Sequence, residues 1–154
     1  MALTFQQILI STYPNEFKQG LFRFTYVDGQ IIIDSWNVPN VPQPTYEQVM
    51  ALDTPQLENA YNIKAFFDIF PQFLQNYIDS VAIARQYDDS FACISYLNSS
   101  NANWAADAKA FNSWRDSVWN YVIAQQALIE AGARPIPTDI ESLLKELPAM
   151  TWPS

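Results

Sequence analysis

The sequence predicts an α+β fold, with an N-terminal β-hairpin region packed on a mainly helical C-terminal part. Three observations lead to it. Phe22, Phe24 and Tyr26 alternate with Arg23 and Thr25, and after Asp28-Gly29 the run Ile31-Ile32-Ile33 continues to Trp36. That is the pattern of two strands joined by a turn that tolerates positive φ. The stretch Val38-Pro39-Asn40-Val41-Pro42-Gln43-Pro44 then places three prolines in seven positions, which favours an extended connector. Beyond it, apolar residues recur at helical spacing.

The elements follow in order. Residues 3 to 12 carry Leu3, Phe5, Ile8, Leu9 and Ile10, a short helix with Thr4 as its cap and Pro14 closing it. The hairpin spans residues 21 to 37. A lone two-stranded hairpin is marginal in water and must pack on something. Thr45-Tyr46-Glu47-Gln48 has the form of a capping box. Thr54-Pro55 sets a cap before a proline at the first helical position, opening a helix to about Asp68. Pro71 is expected to kink or restart it, and Phe73, Leu74, Tyr77, Ile78, Val81 and Ile83 extend an apolar face to about Tyr87. A short helix is expected at 89 to 97 and a polar loop at Asn98-Ser99-Ser100-Asn101.

The longest helix is expected at 102 to 131. Trp104, Ala108, Phe111, Arg115, Val118, Val122 and Gln125 share a stripe, Trp114, Tyr121 and Leu128 widen it, and Trp119 falls off its centre. Gly132 suits the position after the helix end. Thr138-Asp139-Ile140-Glu141 is a second capping-box pattern, opening a last helix to about Leu147. The expected divisions are residues 1–38, helix plus hairpin, and 45–154, mainly helical, forming one compact unit.

Composition narrows function by exclusion. At 154 residues with 49% hydrophobic and 15% aromatic side chains, the chain can bury a sizeable core. The net charge is −8, and the eight Lys and Arg residues are scattered. Phosphate recognition needs clustered cations, so a nucleic-acid partner and an anionic membrane surface are both disfavoured. No run is long and apolar enough to span a bilayer, and the N-terminus lacks the pattern of a signal peptide. The expected location is the cytoplasm, or a particle assembled from it.

The chemistry-bearing residues are few. There is no histidine, which removes Ser-His-Asp and Cys-His arrangements and, with a single cysteine, structural zinc. Cys93, within Phe91-Ala92-Cys93-Ile94, reads as a buried structural thiol. Gly20, Gly29 and Gly132 form no phosphate-cradling loop. No metal site and no cofactor are expected. Asp88-Asp89 reads as a helix cap, and Asp107 with Arg115 or Asp116 as solvated surface ion pairs along the long helix.

The aromatics stand out: five Trp, eight Tyr and ten Phe. Trp104, Trp114 and Trp119 fall at different angles around one helix, so it must be covered on several sides or expose a ring. Trp152 sits in a proline-flanked tail with no element of its own, so its ring must dock on its own domain or on a partner. Trp and Tyr are enriched in interface hot spots. The candidate partner-binding set is Trp104, Trp114, Arg115, Trp119 and Trp152.

Two stretches carry a resemblance. Residues 87 to 122 include Tyr-Asp-Asp-Ser and Ala-Phe-Asn-Ser-Trp-Arg-Asp-Ser-Val-Trp; residues 136 to 153 end Leu-Pro-Ala-Met-Thr-Trp-Pro. They resemble small tail proteins of tailed bacteriophages, of the kind found beside tail-fibre genes. The likeness covers about a third of the chain well, and the hairpin half only loosely, through Trp36 and Pro-Gln-Pro-Thr. It implies a tail-fibre assembly chaperone or a fibre-associated adaptor or tip, with the tail-fibre protein as partner and no catalytic residues. It also implies a place in the host cytoplasm during assembly or in the virion tail, where an oligomer is compatible with the reading. Two alternatives stand beside it. One is a glycan-binding receptor module using exposed tryptophans. The other is a glycan hydrolase using Asp88, Asp89, Asp107 and Asp116, which needs two carboxylates facing across a cleft.

Overall fold

The computed structural model describes residues 2–154 and shows an α+β chain divided into two compact units, residues 1–62 and 63–154. The first opens with helix α1 (Phe5–Thr12). Thr4 caps it: its hydroxyl accepts from the Gln7 backbone N–H and the Gln7 side chain accepts from the Thr4 N–H. Pro14 does more than stop that helix. It stands at the first position of a second short one, α2 (Pro14–Lys18), where its missing N–H costs nothing.

The hairpin pairs β1 (Phe22–Val27) with β2 (Gln30–Trp36), antiparallel, around Asp28-Gly29 with φ of 51° and 80°. Both φ values are positive, the geometry that matches the twist of the strands. The register runs Val27 opposite Gln30 and shifts by one between Arg23 and Phe24. This bulge keeps Phe22, Phe24, Ile33 and Trp36 together against the first core, with Leu3, Ile8, Leu9 and Val49.

The proline-rich run is part of this unit and separates nothing. Val38 is buried, Val41 packs beside it, and the Val41 carbonyl accepts from the Trp36 indole at 2.8 Å. Apolar side chains and one captured carbonyl hold a segment whose prolines cannot join a ladder. Thr45 caps α3 (Tyr46–Met50) with Gln48, as the sequence indicates.

Helix α4 (Pro55–Ala84) begins under the Thr54 hydroxyl. It is longer than expected, because Pro71 is accommodated inside it and no restart occurs. Phe70, Leu74 and Ile78 on either side of the proline are fully buried, and that packing offsets the lost backbone bond.

The second unit gathers the later part of α4 with α5 (Ser90–Ser95), a 3₁₀ turn (Tyr96–Asn98), α6 (Ala102–Glu130) and α7 (Ile140–Leu144). Asp89 caps α5, accepting from Ala92 N–H at 2.7 Å. Asp79 of α4 accepts from the Ser90 backbone at 3.1 Å, tying the start of α5 to α4. Asn101 caps α6. Gly132, φ 70°, closes it with bonds from Gly132 N to Ile129 O and from Ala133 N to Leu128 O, the Schellman arrangement. The cap of α7 is Asp139, accepting from Ser142, and not Thr138; α7 stops at Leu144. Phe70, Leu74, Ile78, Phe111, Trp114, Val118, Val122 and Leu143 form the core.

Candidate functional site

The expected stripe of α6 is kept at Ala108, Phe111, Val118 and Val122, while Trp104, Arg115 and Gln125 are not buried. The buried positions are Asp107, Ala108, Phe111, Trp114, Val118, Val122 and Ile129. At 100° per residue these positions span about 120°, with Trp114 at one edge; Arg115 falls within the same span yet stays partly exposed. This sorts the five candidate residues into three groups.

Trp114 is internal, and Trp152 is half-buried against the same core. Trp114 is 6% exposed, and its indole N–H donates to the Pro148 carbonyl at 2.7 Å. Trp152 stacks on Phe111 with centroids 5.7 Å apart and planes at 13°, and the Arg85 guanidinium lies 5.3 Å from its ring centre. Two tryptophans thus fasten a tail that has no regular element, the Trp152 ring docking on its own unit. Trp114 is thereby part of the core, while Trp152 keeps part of its ring at the surface.

Arg115 and Trp119 flank the core. Trp119 is half-buried against it, and Arg115 Nη2 donates to Asn112 at 2.9 Å and approaches Asp116 at 3.9 Å. Ile123, one further step of four, is 61% exposed. The three stand in one row along α6.

Trp104, at the first turn of α6, is 49% exposed. It forms one lip of an open cleft of about 550 Å³ at the end of α4. Tyr96 meets it edge to face at 5.2 Å, and Tyr87 lies 5.8 Å from Tyr96. Asn103, Gln86, Arg85 and Asp107 supply the polar lining. Sequence reasoning missed Arg85, Gln86, Tyr87, Tyr96 and Asn103 because they converge from three elements, and no local spacing signals that.

Asp107 is the largest departure from expectation. It is 7% exposed, not a surface charge, and its partner is neither Arg115 nor Asp116. Arg85 Nε and Nη2 donate to its two oxygens at 2.9 and 3.0 Å, and the Tyr87 hydroxyl donates at 3.3 Å. This is a bidentate pair, the strong form of the interaction. The bond to Asp107 raises the Arg85 guanidinium above its ordinary value. Burial, and then the Asp107 charge, push the Tyr87 hydroxyl up to about 12. Burial pushes the Cys93 thiol up to about 11, again with Asp107 contributing, so it is held as an unreactive thiol.

The end of α4 breaks a local rule. Gln86 N donates to Ile83 O and Tyr87 N to Ala82 O, the same closure seen after α6. Here the left-handed position, φ 74°, is held by Gln86 and not by glycine. A side chain kept in a strained position at a cleft is a pointer to function.

Of the four acidic candidates for hydrolysis, only Asp107 lines this cleft, and it is paired with Arg85. Asp89 is a cap, and Asp116 approaches Arg115. Among the described residues no group of His, Cys, Asp and Glu is placed to hold a metal ion, and no helix is long and apolar enough to cross a membrane. Comparison with protein-family models, with curated proteins and with solved structures returns no match.

Proposed function

We propose that the chain is a non-enzymatic tail protein of a tailed bacteriophage that binds the tail fibre, as an assembly chaperone or as a retained adaptor or tip. The resemblance in residues 87 to 122 and 136 to 153 suggests the partner. The observation that supports a binding role is the row Arg115–Trp119–Ile123 on α6. It combines a half-buried indole, a guanidinium with donors to spare and an exposed branched side chain. Trp and Arg are the residues most enriched where binding energy concentrates, and an apolar neighbour excludes water around them. The acidic surface keeps the protein soluble while this row meets an apolar stretch of fibre.

Co-expression with the product of the neighbouring fibre gene tests the reading. Ile123→Lys and Trp119→Ala should each reduce capture of the fibre by about tenfold or more. Ile123→Lys is the cleaner variant, since its side chain faces solvent and the fold does not need it. Full capture by both variants would overturn the assignment. Mass spectrometry of purified particles then separates chaperone from adaptor.

A further inference from the structure

We propose that the cleft beside Trp104 is a binding site for a neutral sugar ring, separate from the fibre-binding row and independent of it. The inference starts with charge. Arg85 and Asp107 line the cleft together and neutralise each other through a bidentate contact. A cationic ligand meets Arg85, and an anionic ligand meets Asp107 on a protein of net charge −8. The pair carries no net charge, so the cleft lining does not by its own charge select an ammonium, phosphate or sialic-acid group.

What remains is suited to a ligand that is apolar on its faces and hydroxylated at its edge. Trp104 offers a half-exposed indole, braced edge-on by Tyr96 at 5.2 Å. The negative face of such a ring attracts the C–H groups of a pyranose. Around it stand the amides of Asn103 and Gln86, each carrying donors and an acceptor, as vicinal hydroxyls do. Arg85 uses two of its five N–H groups on Asp107, and the others make no hydrogen bond among the described residues. The volume, about 550 Å³, lies within the ordinary range of roughly 300–1,000 Å³ for small-ligand sites.

The backbone at Gln86 adds to this. Glycine is the default at a left-handed helix end, and this chain uses it at Gly132. At the cleft it carries Gln86 at φ 74° instead. A ligand bound by the Gln86 amide would account for a side chain at this position.

The test uses the full chain labelled with ¹⁵N-tryptophan. Methyl glycosides of neutral hexoses and N-acetylhexosamines are titrated at millimolar concentration, and the five indole N–H signals are followed. The proposal expects the Trp104 signal, assigned by its loss in Trp104→Phe, to move most. Trp104→Ala should weaken binding at least about tenfold, and Asn103→Ala and Gln86→Gly by several-fold, with cooperative unfolding kept in each. A glycan array should favour neutral over sialylated or sulfated ligands. Three results would overturn it: no neutral sugar moves Trp104, binding survives Trp104→Ala, or only charged glycans or peptides bind. Fibre capture by Asn103→Ala should be undiminished, so loss of one activity is told apart from loss of the other.

Discussion

Replacing Gln86 by glycine should stabilise the second unit, and the size of the effect follows from one angle. Gln86 sits at φ 74° as the residue after the end of α4. A left-handed backbone costs an L-residue about 1–2 kcal/mol, and glycine avoids it. Glycine gives back about 0.4–1 kcal/mol through the greater freedom of the unfolded chain. The net gain is roughly 0.5–1 kcal/mol, or about 1–4 °C in the transition for a chain of this size. Gly132→Gln is the mirror experiment. It occupies the same position after α6 at φ 70°, and a Cβ added there meets nothing within 4 Å. Backbone strain alone should therefore lower stability by a similar amount. Urea unfolding followed by far-UV circular dichroism, with matched slopes, measures both. If Gln86→Gly proves neutral or destabilising while Gly132→Gln costs the expected amount, Gln86 is held by contacts of its own, and the reading of it as a functional residue fails.

Trp114→Phe should cost about 1–2 kcal/mol, from the lost indole bond to the Pro148 carbonyl and the smaller ring; Trp152→Ala should cost about 2–4 kcal/mol by vacating the stack on Phe111. Both are measurable by urea unfolding, and both should change near-UV ellipticity. Asp107→Ala should cost about 1–3 kcal/mol, short of the value for a fully buried pair because the Arg85 side chain is 41% exposed and water recovers part of its charge. Asp107→Asn should cost less, since it keeps an acceptor for the Tyr87 hydroxyl. Alkali should weaken the second unit. The fold favours the neutral forms of Cys93 and Tyr87, so their contribution is complete below their ordinary values of 9 and 10 and is lost as pH rises through about 11 and 12. Denaturation midpoints at pH 8, 10 and 11.5 should fall in that order, and Cys93→Ala should flatten the lower part of the decline.

Much of the local structure is legible because its causes are local. Thr4 with Gln7 and Thr45 with Gln48 cap their helices through bonds spanning three residues. Asp28-Gly29 makes its turn because of the φ values those two residues accept, and Gly132 closes α6 for the same reason. The absence of histidine and the charge of −8 likewise stand in the sequence and bound the chemistry before any folding is considered.

What the sequence leaves open depends on distance along the chain. Pro71 reads as a break, yet α4 continues, since burial on both sides outweighs one missing hydrogen bond. The proline run reads as a linker, yet an indole from β2 captures its carbonyl. Trp104 and Trp114 lie on one helix and look alike as candidates. Only the arrival of residue 148 beside one, and of residue 96 beside the other, makes the first a cleft wall and the second part of the core. Asp107 finds Arg85 22 positions away. The sequence by itself determined the fold class, the caps and turns, and the shortage of catalytic side chains, because each rests on neighbours a few bonds apart. The tertiary structure alone decided which aromatics are free and which charges are paired, because burial and partnership are properties of chain segments that meet only when folded.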